Sequence, residues 1–171
     1  MPLIGVAVAV PEPWGSELER WRASFGDPLA GTVPAHITVL PPTDVDAAGL
    51  ADVDAHLAAA AAEVTAFDVE LRGTATFRPV SPVVFVSVVS GIAGCEALQE
   101  AVRRPPLDLE LDHPYHPHVT VAHHLPDDVL DRAYESLADF SARFTVHEIV
   151  RYEHGAQGWA PRRAFPLAPR G

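Results

Sequence analysis

The 171-residue chain carries a formal net charge of −11, and all of its 12 basic residues are arginine. Wrapping a long polyanion calls for a basic face, so this balance argues against DNA and long RNA and suits a small nucleotide or the end of an RNA better. A single cysteine, Cys95, excludes an internal disulfide and accords with a reducing cytoplasm, while no apolar run is long enough to span a bilayer, so no membrane partner is expected.

Taken in chain order, strand and helix signals alternate. Met1–Val10 is apolar without a basic leader or a small-residue cleavage pattern, so Leu3–Val10 reads as a first buried strand rather than a signal peptide. Ser16–Phe25 reads as a short helix with Ser16 as its N-cap. His36–Leu40 reads as a strand stopped by Pro41-Pro42, and the Ala-rich stretch Asp46–Val64 as a helix. Phe67–Phe77 and Val83–Val89 read as two strands around a turn at Arg78–Pro82. Gly94–Arg103 reads as a helix broken by Pro105-Pro106, and His118–His123 as a strand. Asp127–Phe140 reads as a helix opened by Pro126. Phe144–Tyr152 and Trp159–Leu167 close the chain as paired strands around Gly155–Gly158.

This order repeats itself. In each half a helix precedes a strand that carries His-x-Thr, another helix follows, and two antiparallel strands come after. The pattern predicts an α+β fold: one bilobal domain over residues 1–171, with two mostly antiparallel sheets flanking a central cleft and helices on the outer faces. One lobe carries His36 and Thr38, the other His118 and Thr120.

The two motif strands are PAHITVLPP (34–42) and HPHVTVAHH (116–124). On a strand, positions i and i+2 share a face about 6–7 Å apart. His36 with Thr38, and His118 with Thr120, therefore form two small polar platforms, while Ile37, Val39, Val119 and Val121 anchor the opposite faces. Facing each other across a cleft, two imidazoles suit phosphodiester cleavage: one takes a proton from the attacking oxygen and the other gives one to the departing oxygen. An ordinary imidazole pKa of about 6.5 lets both forms exist near neutrality. Threonine hydroxyls can donate to the non-bridging oxygens where charge builds. No metal or other cofactor is called for. One His-x-Thr alone reads as a surface pair; two copies of H-[IV]-T-V at matching places in the repeat read as a site.

With A-H-I-T-V-L-P-P at 35–42 and Y-H-P-H-V-T-V-A at 115–122, the chain resembles the two-histidine (2H) phosphoesterase superfamily. Within it, the chain most resembles the bacterial 2′-5′ RNA ligase or RNA 2′,3′-cyclic phosphodiesterase group. The resemblance implies a bilobal pseudo-twofold fold and a metal-independent site in the central groove. It implies His36 and His118 as the acid–base pair and Thr38 and Thr120 as phosphate-binding hydroxyls. It further implies hydrolysis of a 2′,3′-cyclic phosphate on a nucleotide or RNA 3′ end to a 2′-phosphate, with 2′-5′ ligation as a reversible side of the same chemistry. The alternative is a nucleotide- or RNA-end-binding module without turnover. A monomer is the default expectation. Many RNA-acting relatives have a lysine-rich groove, and this chain has no lysine at all.

Other residues extend the candidate site. Tyr115 can stack on a base or serve as packing. Phe77 and Arg78 end a strand near the groove, where Arg78 can contact a phosphate or remain a solvated loop residue. Arg151, Arg162, Arg163 and Arg170 can guide an anion in or form an ordinary charged surface, the latter preferred for Arg170. Trp159 reads as packing rather than a base platform. His113, His116, His118, His123 and His124 are dense enough to suggest a zinc or nickel site. Strand parity, however, puts His116, His118 and His124 on one face and His123 on the other, so a metal-dependent hydrolase is the lesser reading.

Overall fold

A computed structural model describes residues 1–171. In order along the chain come β1 (Leu3–Ala9), α1 (Trp14–Ser24), β2 (His36–Asp44), a 3₁₀ turn (Ala47–Gly49), α2 (Leu50–Ala62), β3 (Phe67–Thr76), β4 (Val83–Ser90), α3 (Ile92–Val102), β5 (His118–His123), α4 (Asp127–Ser136), β6 (Ser141–Val146), β7 (Glu148–Gly155) and β8 (Gly158–Pro166). The strands form two four-stranded sheets, ordered β2-β1-β7-β8 and β5-β4-β3-β6. Every named pairing is antiparallel. The unit β1-α1-β2-α2 is echoed by β4-α3-β5-α4, and each copy places its His-x-Thr strand at the edge of its sheet. No helix is long and apolar enough to cross a membrane.

Several expectations from the sequence are corrected. Ser16 does not cap α1, which begins at Trp14 after Pro13. Instead the Glu12 carboxylate accepts from Ser16 N at 3.3 Å and from Ser16 Oγ at 2.7 Å. Pro41 and Pro42 do not stop β2, which runs on to Asp44. They fall where the register slips between Leu40↔Val6 and Thr43↔Ile4, and an edge strand with a bulge tolerates residues that lack an N–H. The stretch 46–64 is not one helix; Asp46 accepts from Ala48 N at 3.1 Å and opens a 3₁₀ turn before α2.

The expected strand Phe144–Tyr152 is two strands broken at His147. β6 pairs with β3 in one sheet, while β7 pairs with β1 and β8 in the other, so the chain crosses between sheets there. An unbroken run of strand-forming residues with neither Gly nor Pro hides this crossover. α4 also ends at Ser136 rather than Phe140.

The alternation of the motif strands divides them as expected. Ile37, Val39, Val119 and Val121 are all buried in a 38-residue hydrophobic cluster that also takes in Ile4, Leu57, Leu98 and Leu130. Burial of each such side chain contributes roughly 1.5–3 kcal/mol. That anchoring fixes which face the intervening histidines and threonines present, because a slip of one residue would bury the polar set. α1 also packs beside β5 and α3 beside β2, so each motif strand is braced by the helix of the other half.

The β7–β8 hairpin closes at Gly158, whose φ is +103°. A Cβ there would lie 2.4 Å from the Thr32 carbonyl oxygen, the same oxygen that accepts from Trp159 N at 2.8 Å. Gly158→Ala is therefore expected to cost about 1–3 kcal/mol in a denaturant titration and to alter Trp159 fluorescence in the folded state.

Candidate active site

β2 is hydrogen-bonded only to β1, and β5 only to β4. The two motif strands lie in contact without joining into one sheet. One strut crosses between them: Tyr115, just before β5, donates its hydroxyl to the Thr38 carbonyl at 2.8 Å. Tyr115 lines the cleft while packing against the main core. Its phenol pKa is raised, first by burial, so the hydroxyl stays a donor.

The two histidines are held alike. His36 Nδ1 lies 2.7 Å from the Pro34 carbonyl, and His118 Nδ1 lies 2.7 Å from the His116 carbonyl. A carbonyl only accepts, so each Nδ1 carries the proton and each neutral ring keeps its lone pair on Nε2. Pro34 stands at i−2 from its histidine and Pro117 at i−1 from its own, yet the i−2 carbonyl serves both.

Both imidazoles sit below their ordinary pKa. For His36 burial is the main cause, the Pro34 hydrogen bond opposes it, and the Arg22 charge adds to it. For His118 burial again leads, opposed by the His116 carbonyl and reinforced by the His116 and His36 rings. The burial of His118 is aromatic: its ring meets Phe77 edge-on at 5.0 Å between centroids and Phe85 at 5.1 Å.

Two adjoining cavities occupy the cleft. One, of about 310 Å³, includes Arg22, His36, Tyr152 and Trp159 in its lining. The other, of about 800 Å³, includes Phe77, Arg103, Tyr115 and His118. Thr38, Thr120 and His123 line both and form the common wall between the two histidines. Two imidazoles with free Nε2 atoms and two hydroxyls flanking one junction can exchange protons with a group bound there and donate to its oxygens.

Thus His36, Thr38, His118, Thr120 and Tyr115 come together, and Arg78 does not. Arg78 lines neither cavity. Its guanidinium is drawn to the acidic start of α4, 2.9 Å from Asp131 and 3.6 Å from Asp127. The C-terminal arginines are also spoken for: Arg151 and Arg163 pair with Asp54, Arg162 with Glu153 and Arg170 with Asp68. Trp159 lines the smaller cavity rather than serving only as packing.

The histidine run does not converge on a metal; no group of three or more His, Cys, Asp or Glu side chains is placed to hold one. Parity fails at His124, which has φ 54° and stacks on His123 at 3.6 Å between centroids.

Two residues of the cleft escaped the sequence reading in these roles: Arg22, in the lining of the smaller cavity, and the junction residue His123. A signal for the first was present, because Arg22 follows Leu18 by four positions on the buried side of α1.

Tyr115→Phe is expected to cost about 1 kcal/mol by denaturant titration, since it strips the Thr38 carbonyl of its donor. Because burial lowers both motif histidines, the folded chain binds fewer protons than the unfolded chain between the folded and unfolded pKa values. Their contribution is fully present above about pH 6.5 and is lost as pH falls through the folded values. The melting temperature of the wild type should therefore drop more on acidification from about pH 7.5 to about pH 5 than that of a His36→Asn/His118→Asn variant.

The fold and sequence both have relatives. The 2′-5′ RNA ligase superfamily model matches residues 10–158. A protein of Oceanobacillus iheyensis that carries a provisional phosphoesterase name is 25% identical over 148 residues, 82% of this chain and 84% of that one. E. coli LigT, solved in complex with 3′-AMP, superposes with a TM-score of 0.69 at 18% identity, covering 98% of this chain and 99% of LigT. TT0787 of Thermus thermophilus gives a TM-score of 0.64 at 23% identity, covering 99% and 100%. With the family match extending over most of its length and the two His-x-Thr strands meeting at one cleft, the chain belongs to the 2′-5′ RNA ligase superfamily, a two-histidine phosphoesterase fold.

Proposed function

We propose that the chain is a metal-independent phosphodiesterase that opens 2′,3′-cyclic phosphates on nucleotides or RNA 3′ ends. The observation that carries this reading is the matched tethering of the two imidazoles, each with Nδ1 on an i−2 carbonyl and Nε2 left for the cleft. In the proposed reaction a water oxygen attacks phosphorus and the bond from phosphorus to the 3′ oxygen breaks. One histidine, neutral, takes the proton of the water through Nε2. The other, protonated, delivers a proton to the departing 3′ oxygen, leaving a 2′-phosphate and a 3′-hydroxyl.

Thr38 and Thr120 donate to the non-bridging oxygens as the charge rises there. The same path with a 5′-hydroxyl in place of water joins a 2′-5′ linkage, and its reverse cleaves one to a cyclic phosphate and a 5′-hydroxyl. The crystallised complexes of E. coli LigT with 3′-AMP, NADP⁺, ATP and phosphate support a nucleotide or phosphate as the ligand class. The acidic chain supports a small or terminal substrate over a long one.

Product analysis on nucleoside 2′,3′-cyclic phosphates and cyclic-phosphate-ended RNAs tests the reading. His36→Ala and His118→Ala should each lower kcat by about 100-fold or more, with the wild-type rate unchanged by EDTA. Because both free-enzyme pKa values are lowered, kcat/KM should follow a bell with its maximum on the acid side of about pH 6.5. Undiminished turnover in either variant would overturn the pair.

A further inference from the structure

α1 buries Gly15, Leu18 and Arg22. Arg22 is only 7% exposed, a costly place for a charge unless it is paired. Its Nε donates to Asp27 Oδ2 at 2.8 Å. Asp27, itself 4% exposed, is fully employed: Oδ1 accepts from Leu29 N at 2.9 Å, and Oδ2 also accepts from His123 N at 3.1 Å. Asp27 thereby ties the guanidinium to the end of β5, beside the junction of the two cavities.

Within the chain only Nε of Arg22 has a partner. Arg22 lines the smaller cavity together with His36, Thr38, Thr120 and His123, while Asp27 does not line it. The carboxylate therefore stands behind the arginine, and the forked Nη end is left for the cavity. The charge of Arg22 is felt by both His36 and His123. The other arginine of the cleft, Arg103, is differently placed: its Nη groups donate to Gln99 Oε1 and to the Leu109 carbonyl.

A phosphodiester is an anion, and the whole chain repels it at −11. Two mostly neutral imidazoles and two hydroxyls supply no fixed positive charge to offset that repulsion. A guanidinium fork is the group best matched to phosphate oxygens, and one buried beside low-dielectric walls acts more strongly than one on the surface.

We propose that Arg22 is the anion-binding residue of the site, its Nη groups gripping non-bridging oxygens of the phosphate between His36 and Thr120, with Asp27 as its positioning residue. The assignment rests on the phosphodiesterase reading for the identity of the anion, but the site's affinity for phosphate can be measured without turnover.

Inorganic phosphate is titrated into the wild type, Arg22→Lys and the charge-balanced Arg22→Gln/Asp27→Asn variant, while the imidazole nitrogens are followed by NMR. Phosphate should shift the His36 ring of the wild type. The double variant should bind about 10- to 100-fold more weakly, as expected for loss of charged hydrogen bonds, and Arg22→Lys should fall between. Without phosphate, the His36 pKa should rise in the double variant, because a nearby positive charge is gone.

Equal phosphate affinity in wild type and a folded double variant would overturn the assignment, as would failure of the wild type to bind phosphate. If the double variant does not fold, wild-type affinity in Arg22→Lys would overturn it. Arg22-dependent phosphate binding in a protein that turns over no cyclic phosphate would uphold the assignment while refuting the phosphodiesterase reading.

Discussion

Two sheet edges that meet without pairing are the constraint on which the rest of this structure depends. β2 and β5 each spend one side on a ladder and leave the other to the cleft. An unpaired edge is ordinarily a liability that invites another strand. Here both edges face inward against each other, and the Tyr115 hydroxyl covers one of the exposed carbonyls, that of Thr38. The buried isoleucine and valines between the polar residues fix the pleat, so both histidines and both threonines must come to the cleft. Duplicated architecture thus becomes duplicated chemistry, with the same tether from Nδ1 to an upstream carbonyl in each half.

The surroundings of the two rings are not duplicated. His118 lies among Phe77, Phe85 and His116, whereas His36 lies toward Arg22 on the side of Tyr152 and Trp159. Burial lowers both pKa values, but a fixed cation adds to the effect only at His36. An acidic protein can hold an anion if a single desolvated arginine does the holding, and an ion pair through Nε alone leaves its forked end available. The surface arginines, paired with Asp54, Asp68 and Glu153, add little to such a site.

Local pattern carried much of this into the sequence. The alternation in H-I-T-V and H-V-T-V reveals strand, buried face and polar face together, and its recurrence reveals the cleft. What escaped was long-range. Nothing near His147 announces that the chain changes sheets, because the crossover depends on which strands stand beside β3 and β1. Arg78 reads as a groove residue until α4 folds back and brings Asp127 and Asp131 against it. The double proline reads as a stop because sequence does not show that β2 is an edge with a bulge. Arg22 lay in plain view on the apolar side of a helix, but its cost of burial becomes informative only with Asp27 and the cavity in place.

The central claim is that both imidazoles serve one phosphorus atom. A crystal structure with a nucleoside 2′-phosphate bound tests it most directly. The account predicts a single phosphate group at the wall shared by Thr38 and Thr120, with Nε2 of His36 and Nε2 of His118 each about 3 Å from one of its oxygens. A phosphate reached by only one of the two rings, or seated in one cavity away from that wall, would contradict it.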